Sequence, residues 1–221
     1  MTDPIEAATP QKPTPSSESV ARRTRGCLIE IVETVLLTVI IFFVVQHFVA
    51  QPYRIYQVSM ESTLEPDQMV LVDKISPVFS DYKRGDVIVF NPPKGFEDQG
   101  SDPFIKRVIG VGGDLVEVHD GAVWVNGVKL NEPYVYDGQP TVARTEVSSW
   151  RVPDGYLFVM GDHRDASEDS RVFGPIAKSS VIGRAWIRYW PMSSLSWVSP
   201  ATYPGVPDAP PATSPKPSPS H

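Results

Sequence analysis

The chain has 221 residues, 41% hydrophobic and 21% charged, with a formal net charge of −6, which is room for one ordinary domain and flanking segments. Its acidity, with no basic stripe beyond Arg22-Arg23-Thr24-Arg25, argues against a nucleic-acid binder. One cysteine, Cys27, excludes an internal disulfide, a multi-cysteine zinc site and a CxxC redox pair, and the four histidines lack ligand spacing, so no metal or cofactor is assigned.

In chain order, Met1 to Val20 holds four prolines among Ser, Thr, Gln and Glu. That offers too little apolar surface to offset the entropy of ordering it, so residues 1–25 are predicted to be a disordered cytoplasmic segment. From Leu28 to Val49 the chain is apolar at nearly every position. As a helix this stretch covers roughly 33 Å, about the thickness of a bilayer's hydrocarbon region, so residues 26–50 are predicted to be a single transmembrane helix. Arg22, Arg23 and Arg25 precede it and only Arg54 closely follows, which puts the amino terminus in the cytoplasm and the rest of the chain outside a plasma membrane. A cleaved signal peptide fits less well, because the apolar run is too long and no A-x-A-like site follows. Glu30 and Glu33 lie within about two turns of the arginines, at the cytoplasmic edge of the span.

Residues 51–198 show short β-branched runs separated by Gly, Pro and Asp, which predicts an extracytoplasmic, mostly β domain. Val70–Val72, Val87–Phe90, Phe104–Ile109, Tyr156–Met160 and Ile182–Ile187 read as strands. Val116–His119 and Ala122–Val125 alternate around Asp120-Gly121, a pair that favours a type I′ hairpin turn. The aromatic run Trp186-Ile187-Arg188-Tyr189-Trp190 fits either a membrane surface or core packing. Residues 199–221, with eight prolines from Pro200 onward, are predicted to be a disordered tail.

Three segments carry chemistry. The first is Val58-Ser59-Met60-Glu61-Ser62; a serine becomes a nucleophile only beside a base. In the second, Phe104-Ile105-Lys106-Arg107-Val108-Ile109-Gly110, a lysine sits inside an apolar strand. Loss of hydration there lowers an amine's pKa toward the range a general base needs, from about 10.4 to about 8, at a cost of roughly 3 kcal/mol. The third, Gly161-Asp162-His163-Arg164-Asp165-Ala166-Ser167-Glu168-Asp169-Ser170-Arg171, follows an apolar strand with a dense alternation of acids, arginines and serines. Alone, each has a plain reading as a surface serine, a solvent-facing lysine or an ion-paired loop. Their joint occurrence in this order does not.

These segments, with Lys83-Arg84-Gly85-Asp86-Val87 between the first two, resemble the characteristic boxes of the bacterial type I signal peptidases, over about Leu28 to Arg188. The resemblance implies an antiparallel β-sheet catalytic domain of signal-peptidase type. It also implies a serine endopeptidase that removes signal peptides from exported preproteins after small residues, and that works at the membrane beside the translocation machinery. Ser59 matches the nucleophile and Lys106 its general base. Ser167 matches a serine whose hydroxyl orients the lysine amine. Met60, Phe104 and Ile105 match the substrate pocket, and Arg107, Asp162 and Arg164 match structural positions near the site. Three positions depart from the commonest pattern. Gln57 replaces a serine that completes the oxyanion hole, which leaves either the Gln57 amide or a backbone N–H as the second donor. Ser62 replaces a frequent proline. His163 replaces a frequent asparagine, which raises a rival Ser–His mechanism.

Overall fold

The structure, a computed structural model, describes residues 17–44, 50–96 and 102–207, in two units, 1–45 and 46–221. The first unit is α1, Ser17–Val44. It begins inside the stretch predicted to be disordered, because Ser17–Arg25 lacks proline and continues the helical run that follows. Ile31, Val32, Val35, Leu36, Ile40, Ile41, Phe42 and Phe43 are all exposed. Thr34 and Thr38 return their hydroxyls to carbonyls one turn back, at 2.8 Å each, so neither polar group is left unpaired on this apolar surface. Among the described residues no helix is long and apolar enough to cross a membrane. Of the predicted span 26–50, residues 45–49 lie outside those described, and Ala50 already belongs to the first strand.

The second unit is built on two antiparallel sheets. The strands of the larger are β1 (Ala50–Arg54), β2 (Met69–Asp73), β3 (Val87–Phe90), β4 (Phe104–Val111), β9 (Tyr156–Met160), β10 (Ile176–Ala177), β11 (Val181–Trp190) and β12 (Ser196–Trp197). Their order is β1-β2-β11-β3-β4-β9-β10, with β12 on β11. The smaller sheet runs β7 (Val128–Lys129), β6 (Ala122–Val125), β5 (Leu115–His119), β8 (Ser149–Arg151). The predicted strands all form. In the predicted hairpin, Asp120 and Gly121 take φ of 52° and 70°, the two positive values a type I′ turn requires.

Central strand β4 is covered on both faces. Phe104 and Val108 pack with Ile88, Phe90, Leu157, Val159 and Ile176. Ile105 joins Ile55, Met60, Leu64, Val70, Val72, Val87, Val89 and Ala185, and Ile109 joins the core between β9 and the smaller sheet. This double burial explains the mixed pattern of β4, which lacks the clean alternation of a half-exposed strand.

The end of the domain corrects the predicted disorder of 199–221 as far as Pro207; residues 208–221 lie outside those described. The Ala201 N–H donates to the Gly85 carbonyl at 3.1 Å, Arg84 Nη2 donates to the Pro207 carbonyl at 2.9 Å, and the Tyr203 hydroxyl lies 2.5 Å from that of Tyr134. Tyr203 and Val206 pack on the core around Ile109 and Phe158. Two apolar side chains in a proline-stiffened strap suffice, since proline lowers the entropy lost on docking. Gly85, at φ 92°, has no room for a Cβ, which would overlap the Ala201 carbonyl. Tyr203→Ala is expected to lower the unfolding free energy by about 2–3 kcal/mol through lost aromatic packing and the lost bond between the two tyrosine hydroxyls; urea denaturation measures it, and an unchanged midpoint would mean the strap is not held by this ring.

Candidate active site

Ser59 lies in a 3-10 turn, Val58–Met60, just beyond β1, and Lys106 lies in the middle of β4. Lys106 Nζ is 2.7 Å from Ser59 Oγ, with Lys106 only 1% and Ser59 3% exposed. The Phe104 ring stands 5.3 Å from the amine and shields it from water. Burial pulls the Lys106 pKa down from 10.5 to about 8, against the opposing pull of the Asp169, Asp162 and Glu168 carboxylates. Near neutral pH the amine is therefore poised to exchange a proton with the hydroxyl it touches.

The loop after β9 closes over this pair. Gly161 allows the approach, because a Cβ there would overlap Ser167 Oγ and the Ser59 carbonyl. The Ser167 hydroxyl, assigned from sequence to the Lys106 amine, instead donates to Asp169 Oδ2 at 2.8 Å. Asp169, fully buried, also accepts from the Gly161 N–H at 3.1 Å and from Arg171 Nε and Nη2 at 2.8 Å each. Burial pushes its pKa up, but these donors outweigh that and hold it below the usual carboxylate value. Ser167 thus reaches Lys106 through the carboxylate that it helps to fix.

Three buried arginines frame the site. Arg107 binds Asp162 through two bonds of 2.9 and 2.7 Å and donates to Thr63 Oγ1 at 3.0 Å. Arg164 binds Glu132 through bonds of 3.0 and 2.7 Å, and Arg171 binds Asp169. Taking these charges out of water is costly and the bidentate pairing offsets that cost, so removing one partner costs about 3–5 kcal/mol. Arg107, Asp162 and Arg164 thus occupy structural positions near the site. Glu132, Thr63 and Thr141 complete the network, and no sequence signal singled them out.

Two clefts meet at Tyr56 and Gln57. One, of about 380 Å³, is lined by Tyr56, Gln57, Val58, Ser59, Phe104, Arg144, Ala166, Ser167 and Glu168. The other, of about 340 Å³, runs along Pro52 to Gln57 with Val89, Pro103 and Ile105. Phe104 borders the first cleft and Ile105 the second. Met60 borders neither: it is fully buried in the core with Ile55 and Leu64, because the 3-10 turn points the residue after Ser59 inward. Gln57 lines both clefts. Ser62 takes φ 83°, a conformation closed to the proline it replaces, so this turn departs in shape from the commoner one. His163 Nδ1 lies 2.7 Å from Glu61 Oε2, and its ring stacks on Tyr136 with centroids 4.3 Å apart, so it is engaged away from the Ser59 hydroxyl. Among the described residues no cluster of His, Cys, Asp and Glu could hold a metal ion.

Residues 28–190 match the family model for signal peptidase, peptidase S26. The chain is 34% identical over 203 residues to signal peptidase I of Leptolyngbya laminosa, covering 90% of this chain and 98% of that one. It is 38% identical over 167 residues to probable signal peptidase I-1 of Synechocystis, covering 74% and 83%. A solved signal peptidase I from Enterococcus faecalis is 31% identical, with a TM-score of 0.38 over 48% of this chain and 97% of that one.

The amine's burial carries a stability consequence. The unfolded chain binds more protons than the folded one between about pH 8 and 10.5, so this group's contribution to stability rises with pH across that window. Below it, the folded state carries the full cost, about 3 kcal/mol. Lys106→Met is therefore expected to raise the calorimetric melting temperature at pH 7, with the gain shrinking as pH approaches 10.5. A methionine variant less stable at pH 7 would show that the amine's hydrogen bond outweighs its desolvation.

Proposed function

The chain belongs to the signal peptidase, peptidase S26, family and is a hydrolase of the signal peptidase I kind, and on that premise we propose that it cuts preproteins through Ser59 as nucleophile and Lys106 as general base. The observation that carries this reading is the desolvated amine 2.7 Å from the serine hydroxyl. Neutral Lys106 takes the Ser59 proton as Oγ attacks the carbonyl of the scissile bond. The resulting ammonium returns the proton to the leaving nitrogen, the mature chain departs with a free amine, and the signal peptide stays as an ester on Ser59. Lys106, neutral again, deprotonates a water that hydrolyses the ester. The oxyanion at the attacked carbonyl would take the Ser59 backbone N–H and the Gln57 amide, which borders the same cleft.

An extended substrate fits along Pro52 to Gln57, with main-chain bonds for affinity and side-chain pockets for selection. The Phe104 side of the first cleft takes the small residue before the scissile bond. The second cleft, bordered by Ile105, takes a residue two positions earlier. His163 as base is the weaker reading, since Glu61 and Tyr136 already hold its ring.

The catalytic domain is proposed to lie outside the plasma membrane on a single anchor in the apolar stretch that precedes β1, with its amino terminus cytoplasmic. The exposed apolar side chains of α1 suit lipid. Such an anchor confines enzyme and signal peptide to one bilayer, at the protein translocation machinery, and raises their effective concentration. Trp190, Trp197, Met192 and Leu195 are exposed at the β11–β12 end of the sheet, and Trp186 and Trp197 pack at 5.4 Å. That patch is the proposed contact with the membrane surface.

Ser59→Ala and Lys106→Ala are each expected to reduce preprotein processing at least ~1,000-fold while leaving the domain folded, read by gel and by sequencing the new amino terminus. A processing Lys106→Ala enzyme would remove lysine from the mechanism. The rate of the wild type should rise with pH through about 8, as Lys106 loses its proton, and an acid limb near 6 would transfer the role to His163. Trp190→Ser should weaken sedimentation of the domain with anionic liposomes several-fold; unchanged binding would mean the patch faces something else.

A further inference from the structure

Lys106 projects from a rigid central strand, whereas Ser59 sits on a turn with little support of its own. That 3-10 turn is three residues long, has no side-chain cap at Gln57, and runs into Ser62 at φ 83°. Short 3-10 turns have poor intrinsic hydrogen-bond geometry and hold their shape through their surroundings. Met60 and Leu64 root the turn in the core, and the polar side of its surroundings includes one residue of the loop after β9. The His163 N–H donates to the Ser59 carbonyl at 3.1 Å. Its Nδ1 meets Glu61 Oε2 at 2.7 Å, two residues past the nucleophile. A carboxylate only accepts, so Nδ1 carries the proton and donates it. The ring lies nearly parallel to Tyr136, 23° between planes, and the Tyr136 N–H donates to the Asp162 carbonyl at 3.0 Å. The imidazole is fixed by its edge and by its face, and its side chain and that of Glu61 are only 16% and 20% exposed.

We propose that His163 and Glu61 are positioning residues, a brace that clamps the nucleophile's turn onto the loop after β9 and so keeps Ser59 Oγ within reach of Lys106. The brace rests on the peptidase reading above and acts without touching substrate. Its value lies in the steepness of the geometry: displacing a reacting atom by about 1 Å can cost on the order of 100-fold in rate. The parallel bond from Thr63 Oγ1 to Asp162 Oδ2, 2.5 Å, holds the far end of the same turn, so loss of the brace should impair catalysis without abolishing it.

The test uses the full-length, detergent-solubilised chain and a preprotein substrate. His163→Leu and Glu61→Ala should each lower kcat about tenfold with KM changed less than about twofold, and the double variant should be no worse than either single one. His163→Asn should stay within about twofold of wild type, because its side-chain amide donor falls where Nδ1 does. Thermal melts in the assay buffer should show every variant folded at the assay temperature. A leucine variant with wild-type kcat, or strictly additive losses, would overturn the brace. So would a His163→Asn enzyme as inert as Ser59→Ala, which would make the imidazole itself the base. A wild-type chain no more active than Ser59→Ala would overturn the peptidase reading and this inference together, whereas an active wild type with an unaffected leucine variant overturns the inference alone.

Discussion

Everything at this site turns on an amine held out of water. In the proposed mechanism Lys106 serves as a base only while its ammonium form is disfavoured, and burial in β4 provides that. The surrounding carboxylates work in the opposite sense: left alone, Asp162 and Asp169 would draw a proton onto the lysine. Each is committed to a guanidinium instead, Asp162 to Arg107 and Asp169 to Arg171. The acids therefore serve as structural anchors, and enough of their field is cancelled for desolvation to win.

The same pairing explains how a polar loop can be packed against Ser59 and Lys106. Residues 161–171 contain four acids, two arginines and two serines in addition to histidine, Gly161 and Ala166, a composition that ordinarily belongs in solvent. Here Arg164 and Arg171 turn inward, each satisfied by a carboxylate and by backbone carbonyls. Buried ion pairs contribute little net stability, since desolvation consumes most of the attraction. What they supply in this loop is directionality. A planar fork bound at two points leaves few alternative arrangements, and the Gly161–His163 backbone that touches Ser59 inherits that definition.

Much of this was legible in the sequence. Strands with β-branched runs between Gly, Pro and Asp form where the pattern put them, and the hairpin turns on Asp120-Gly121. Lys106 stood out because an unpaired charge among Phe104, Ile105, Val108 and Ile109 contradicts a simple strand. Other features depend on distant partners and left no local trace. Glu132 meets Arg164 across 32 positions, and nothing near Glu132 announces the pairing. Met60 was placed at the substrate because it follows Ser59, but the direction of a side chain on a 3-10 turn is set by packing against Ile55 and Leu64. Ser167 was assigned a direct bond to the amine, whereas Asp169, two residues on, offered a stronger acceptor. The strap 201–207 was hidden by its prolines, since composition reports the average tendency of a segment and misses the two side chains that dock it.

The strand order has a temporal meaning. β2 and β3 are near neighbours in sequence, yet β11 lies between them. The half of the sheet that leads to Ser59 and the half that carries Lys106 are joined along their edges only when residues 181–190 slot into the gap. Until that strand docks, the two halves meet through the packing of Ile55, Met60 and Leu64 on Val87, Val89 and Ile105 and through the Ser59–Lys106 contact. Closing the sheet therefore waits on a strand that follows nearly every other in the chain, a long-range pairing of the kind that slows folding.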